Sequence, residues 1–196
     1  GNAVILKPAE QTPLTALRLG ELAAEVGFPE GVLNVVPGFG ETAGSALVQH
    51  PDVDAIAFTG STAVGKIVMR EAAETLKKVS LELGGKSPNV IFADADLKGA
   101  VRGASTGIFY GKGEVCAAGS RILVERAVYD DFVEQFATRA DKMTVGDPMD
   151  SNTRLGAIVS EEQLERVLGY VESGKSEGAR LVTGGERTTV DGRGNF

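Results

Sequence analysis

A single cysteine stands in the chain, in the run Gly111-Lys112-Gly113-Glu114-Val115-Cys116-Ala117-Ala118-Gly119. Small residues around Cys116 leave its sulfur room to meet a substrate, and the glycines permit backbone angles closed to other residues. An isolated cysteine also serves as a small buried hydrophobe, so the run admits either a nucleophile or a core residue. A thiol protease needs an imidazole partner. The only histidine, His50, falls in the polar segment Gln49-His50-Pro51-Asp52, which suits a solvated helix-end residue. Glu82 is the second candidate, set in Leu81-Glu82-Leu83 directly before Gly84-Gly85. Desolvation by the flanking leucines would raise its pKa and fit it for proton transfer; the same alternation also describes an outward-facing strand residue.

Two glycine-rich turns offer phosphate chemistry. Gly38-x-Gly40-x-x-Ala43 follows an apolar run and opens a helical pattern, with Asp54 further along near the place of a ribose-binding acid. That is the pattern of a dinucleotide fingerprint, and equally that of an ordinary strand-to-helix turn. Gly60-Ser61-Thr62-Ala63-Val64-Gly65-Lys66-Ile67 nearly matches a phosphate-cradling P-loop. Ile67 stands where a hydroxyl would hold Mg²⁺, which argues against nucleotide hydrolysis and leaves backbone N–H groups for a phosphate.

Composition bounds these readings. The 196 residues carry 20 Lys or Arg and 27 Asp or Glu, a net charge of −7. The densest basic run is Lys77-Lys78, too little for a partner bound through its phosphates, so no nucleic acid is expected. At 42% hydrophobic and 24% charged the chain is of globular type, and no apolar stretch approaches the ~20 residues of a membrane span. The 26 glycines are nearly twice the usual share of about 7%. One cysteine forbids an internal disulfide and one histidine argues against an all-protein zinc cage, so no metal is expected and a reducing, cytoplasmic setting is the simpler home. Both ends of the sequence read as cut from a longer chain.

The candidate residues sit between alternating apolar runs and helical patterns, the signature of an α/β protein with a mostly parallel sheet. The spacing predicts strands at 2–6, 33–36 and 55–58, and helices at 12–26, 41–49 and 63–76. Thr12 should cap the first helix, and Val64, Ile67 and Val68 should face inward on the third. Gly84-Gly85-Lys86-Ser87-Pro88 gathers loop formers and marks a domain boundary. Beyond it the pattern predicts strands at 89–92, 122–124 and 180–182, with helices at 97–110, 129–142 and 161–173. Asp130-Asp131 and Glu161-Glu162 are read as helix N-terminal charges, favourable to the dipole.

Taken together, Lys7-Pro8-Ala9-Glu10, Phe58-Thr59-Gly60-Ser61-Thr62, Leu81-Glu82-Leu83-Gly84-Gly85-Lys86-Ser87-Pro88 and Gly113-Glu114-Val115-Cys116-Ala117-Ala118-Gly119-Ser120-Arg121 resemble the aldehyde dehydrogenase superfamily, in order and across nearly the whole chain. The resemblance implies residues 1–84 as the later part of a Rossmann-like NAD-binding domain. Residues 85–196 would begin the catalytic domain, with Glu82 and Cys116 facing each other at the cleft. It implies an NAD-dependent oxidation of a small-molecule aldehyde to a carboxylic acid. Cys116 attacks the aldehyde carbon, the thiohemiacetal gives up hydride, and Glu82 activates the water that hydrolyses the thioester. The backbone N–H of Cys116 would form half of the oxyanion hole.

For the cofactor, the resemblance implies Lys7 and Glu10 at the adenosine ribose and Gly40 and Glu41 near the adenine. Gly60, Ser61 and Val64 would lie at the pyrophosphate, with Leu83 and Gly84 lining the site and Gln163 and Arg166 towards the nicotinamide ribose. Asp54 then loses the ribose role that the fingerprint gave it. Glu10 would repel a 2′-phosphate and favour NAD, whereas Lys7 leaves NADP open. Gly111 and Lys112 depart from the Asn and Gln that relatives often carry there. The oxyanion Asn, a downstream acid and an oligomerising tail have no counterpart in these residues, so the piece alone is expected to be inactive and its parent a homodimer or homotetramer. Two rivals share the motifs: a CoA-acylating semialdehyde dehydrogenase, which usually lacks the general-base Glu, and a non-catalytic structural relative.

Overall fold

The computed structural model describes residues 1–196 and divides into two compact units, Gly1–Leu83 and Gly84–Phe196. In the first, β1 (Val4–Leu6) leads through α1 (Leu14–Glu25) to β2 (Leu33–Val35), and the two strands pair in parallel, Val4 opposite Leu33. Gly20 lets α1 lie close to β2, since a Cβ there would stand 3.1 Å from Val35 Cγ2. Pro13, not Thr12, occupies the position before the first turn of α1, and no side chain caps that end. The fixed φ of proline already suits a helix start, so the turn forms without the hydroxyl.

The second parallel pair is longer. Strand β3 (Ala55–Thr59) and β4 (Lys78–Glu82) run in register from Ala55 opposite Lys78 to Thr59 opposite Glu82, linked by α3 (Thr62–Ala73). Between the two pairs, a π-helical turn (Gly40–Gly44) feeds the short α2 (Ser45–Gln49), where the spacing predicted one helix over 41–49. Val68 is buried on α3 as expected, whereas Val64 and Ile67 are 42% and 49% exposed. The buried face is instead Gly65, Val68 and Ala72, a helical stripe whose small members bring the helix backbone close to its neighbours. A Cβ on Gly65 would lie 2.6 Å from Leu83 Cδ2.

In the second unit β5 (Pro88–Ile91) and β6 (Arg121–Val124) form the third parallel pair, connected through α4 (Leu97–Phe109) and a 3₁₀ turn (Tyr110–Gly113). After a 3₁₀ turn at Arg126–Val128 come α5 (Tyr129–Asp141) and α6 (Glu161–Ser176), whose first turns carry Asp130, Asp131, Glu161 and Glu162. The core joins Ile91, Val101, Ala104 and Phe132, with Phe136 packed against it and stacked on Phe132 and Phe109 at 5.6 Å. Ser105 is fully buried there and donates its hydroxyl to the Val101 carbonyl at 2.7 Å, so its burial leaves no polar atom unpaired.

The strand predicted at 180–182 is absent. That segment lies beside Asp130, Val133 and Glu134 of α5 and finds no neighbouring strand, without which an apolar run has no ladder to join. No helix is long and apolar enough to cross a membrane.

Phe132 is 3% exposed at the centre of the second unit. Phe132→Ala is expected to lower unfolding free energy by about 3–5 kcal/mol, and Phe132→Leu by clearly less, in urea denaturation.

Candidate active site

The carboxyl ends of β1 and β2 gather the first group of candidates. Lys7, one residue past β1, extends its ammonium to the Gly38 carbonyl and the Pro8 carbonyl, both at 2.7 Å, and to Glu10 Oε1 at 3.1 Å. The same carboxylate oxygen accepts the Gly40 N–H at 2.6 Å. Backbone hydrogen bonding within Glu10 itself, then the Lys7 ammonium, then the Gly40 N–H hold this carboxyl below the usual carboxylate range. No other residue bonds Glu10 Oε2, and Glu10 is an exposed residue. Glu41, in the first turn after Gly40, is exposed with its side chain free.

The second group collects where β3 and β4 end. Gly60 N–H donates to the Glu82 carbonyl at 3.0 Å, carrying the ladder one step beyond the strands. A side chain at Gly60 would collide with the ring of Phe58. Ser61 caps α3, its Oγ accepting the Val64 N–H at 3.2 Å. Thr62 and Ala63 N–H remain unpaired at that helix end, where the dipole is positive. Leu83 sits against Gly65, and Gly84 has open space on its Cβ side.

Glu82 follows the alternation of β4: Val79 and Leu81 are half-buried, while Lys78, Ser80 and Glu82 are exposed. The flanking leucines therefore point to the other face of the strand, and of the two readings the sequence left open for Glu82 the structure shows the outward-facing strand residue.

In the second unit, Cys116 is exposed and unpaired, which removes the reading of a buried hydrophobe. Its place is set by a reversal after α4, in which Gly111, Lys112 and Gly113 take left-handed φ values of 57°, 61° and 77° in succession. Glycine is nearly free of cost there and lysine is not. The chain then turns over Cys116 and Ala117, closed by Ala118 N–H to the Val115 carbonyl at 2.9 Å, and is tied back by Gly119 N–H to the Gly107 carbonyl at 3.1 Å. The N–H of Cys116 itself has no partner within the chain. Lys112 Nζ lies 3.4 Å from Glu114 Oε2.

Gln163 and Arg166 are held by local contacts on α6. Gln163 gives its backbone N–H to the capping Ser160 Oγ at 3.2 Å, and Arg166 meets Glu162 at 3.3 Å in solvent. His50 is an exposed helix-end residue whose Nδ1 accepts the Asp52 N–H at 3.2 Å.

A model of the aldehyde dehydrogenase family matches residues 1–196. The chain belongs to that family. It is 57% identical over 188 residues to the mitochondrial aldehyde dehydrogenase of Leishmania tarentolae, covering 95% of this chain and 38% of that protein. To the aldehyde dehydrogenase cytosolic 1 of Mus musculus it is 52% identical over 188 residues, again 95% of this chain and 38% of the relative. Among solved structures, an NAD⁺ complex of an aldehyde dehydrogenase from Bacillus cereus superposes with TM-score 0.94 at 51% identity, covering 98% of this chain and 39% of that one. The chain thus spans somewhat over a third of the length of these relatives.

Within this aldehyde dehydrogenase chain, the structure adds the carbonyls of Pro8 and Gly38 to the Lys7–Glu10 group. The Pro8 carbonyl is adjacent in sequence, within the Lys7-Pro8-Ala9-Glu10 motif, whereas the Gly38 carbonyl, 31 residues on, is brought to the ammonium by the pairing of β1 with β2. The Lys112–Glu114 pair was likewise hidden, because a two-residue spacing brings side chains together only if the intervening turn is known.

Because the folded state binds the Glu10 proton less tightly than the unfolded chain, its carboxylate contributes stability that is present above the ordinary carboxylate pKa. That contribution is lost as pH falls through the lowered value. The melting temperature of Glu10→Gln should therefore lie below that of the wild type at neutral pH, with the gap closing on acidification; a gap independent of pH would refute the linkage.

Proposed function

We propose that the protein containing this chain oxidises an aldehyde to a carboxylic acid, with NAD as hydride acceptor and water as final nucleophile. The observation that carries this is Cys116: an exposed thiol in a tight turn of small residues, with its own N–H unpaired. A thiol so placed attacks the aldehyde carbon, and the N–H beside it faces the oxygen on which negative charge develops. Covalent capture divides the oxidation into formation of a thioester on Cys116 and its hydrolysis. Glu82, a solvated carboxylate at the end of β4, takes the proton from the hydrolytic water.

The residues present fit NAD. Glu10 keeps Oε2 free for ribose hydroxyls, and Lys7 is already engaged by two carbonyls and Glu10, leaving no free ammonium for a 2′-phosphate. The unpaired N–H groups of Thr62 and Ala63, with Gly60, Ser61 and Val64 around them, suit a pyrophosphate. Gly40 and Glu41 border the adenine, Leu83 and Gly84 line the site, and Gln163 and Arg166 serve the second ribose. When bound, NAD would supply the hydride acceptor for the carbon attached to Cys116. Residues 1–84 are then the later part of the cofactor domain, which carries Glu82, and 85–196 the start of the catalytic domain, which carries Cys116. A homo-oligomer in a reducing, cytoplasmic setting completes the proposal, supported by the family membership and by the need to keep a nucleophilic thiol reduced.

In the full-length protein, Cys116→Ala is expected to abolish aldehyde-dependent NADH formation. Glu82→Gln should retain a first-turnover burst while slowing steady turnover by about 10²–10⁴-fold. A strict requirement for CoA would move the protein to the acylating class, and retained activity in Cys116→Ala would overturn the mechanism.

A further inference from the structure

Lys112 is the one residue other than glycine in the left-handed run before the nucleophile. It holds φ at 61° between Gly111 and Gly113, a conformation that is disfavoured for a residue bearing a β-carbon. Its ammonium meets Glu114 across the bend at 3.4 Å, with 30% and 42% of the two side chains exposed. The surrounding backbone is already tight. A Cβ on Gly113 would stand 3.1 Å from the Ile108 carbonyl, and one on Gly111 3.1 Å from Val115 Cγ2. The bend thus has little room for a side chain at either glycine, and the Lys112–Glu114 ion pair across it spans the residues that lead into Val115 and Cys116.

We infer that the Lys112–Glu114 ion pair is a positioning latch for the nucleophile. By bracing the left-handed bend it fixes the turn at Val115–Ala118, which holds the Cys116 thiol exposed with its N–H unpaired. The inference rests on Cys116 being the nucleophile. Lys112 touches no reacting atom; it acts through the backbone, and its pairing with Glu114 offsets the strain of its own conformation.

The test uses the full-length protein. Asn tolerates left-handed φ, so Lys112→Asn removes the pair while sparing the backbone, and Glu114→Gln removes it from the other side. For each variant, and for Lys112→Arg and the double variant, kcat and the aldehyde KM are measured. The iodoacetamide alkylation rate of the Cys116 peptide is followed in parallel by mass spectrometry. The expected result is a fall of about two- to fivefold in kcat, with KM unchanged and a parallel change in alkylation rate. Arg should rescue, and the double variant should be no worse than either single one. Wild-type alkylation and kcat in Lys112→Asn, or additive losses in the double variant, would overturn the latch. Dehydrogenase activity surviving Cys116→Ala would instead overturn the nucleophile assignment, and with it the latch's purpose, whereas the alkylation rates report on the turn itself in either case.

Discussion

Parallel pairing puts the carboxyl ends of neighbouring strands at the same edge, and this constraint organises the whole first unit. The loops leaving β1 and β2 carry Lys7, Glu10, Gly38 and Gly40, which become one hydrogen-bonded group. The loops leaving β3 and β4 carry Gly60, Ser61, Glu82 and Leu83, joined by the bond from Gly60 N–H to the Glu82 carbonyl. Residues far apart in sequence meet because the strand register fixes where each loop begins. A crevice outside the carboxyl ends of parallel strands is where α/β sheets bind ligands. The second unit uses its pair differently: Cys116 precedes β6 and is placed by the bend that ends α4.

The close approach of helix to sheet is the next requirement, and small residues meet it. Gly20 under Val35 and Gly65 under Leu83 let α1 and α3 come in where a β-carbon would intrude. Seating α3 this way brings its capped N-terminus, with Ser61 bonded to Val64 N–H, to the end of β3. The glycine-rich composition is thus spent on packing as much as on turns.

Much of this was legible in the sequence because strand and helix periodicities differ and turn residues mark their limits. All six observed strands except β4 fell within one or two residues of a predicted run, and β4 was visible only as the alternation around Glu82. What failed was burial, which depends on partners that a local pattern does not contain. Val64 and Ile67 have the spacing of an inward face, yet Gly65 and Ala72 take it. The run 180–182 has strand-like residues and no strand to pair with. For Glu82 the sequence left burial and an outward strand position both open, and period two, which sends its neighbours to the opposite face, leaves it exposed. For Cys116 the sequence left nucleophile and core residue open, and the left-handed bend decides in favour of exposure.

The Lys7 cluster shows how a local charge arrangement constrains chemistry at a distance in sequence. An ammonium held by two carbonyls and one carboxylate oxygen has its three N–H donors committed. Releasing the ammonium would take a donor from the Pro8 and Gly38 carbonyls and leave Glu10 Oε1 with the Gly40 N–H alone. Glu10, for its part, has its carboxyl held below the usual carboxylate range by its own backbone, by Lys7 and by the Gly40 N–H, which favours the ionised, hydrogen-bond-accepting form. In general a carboxylate accepts from hydroxyl groups and repels a second negative charge placed beside it. These hydrogen bonds are made within the protein itself, between residues that the strand register brings together.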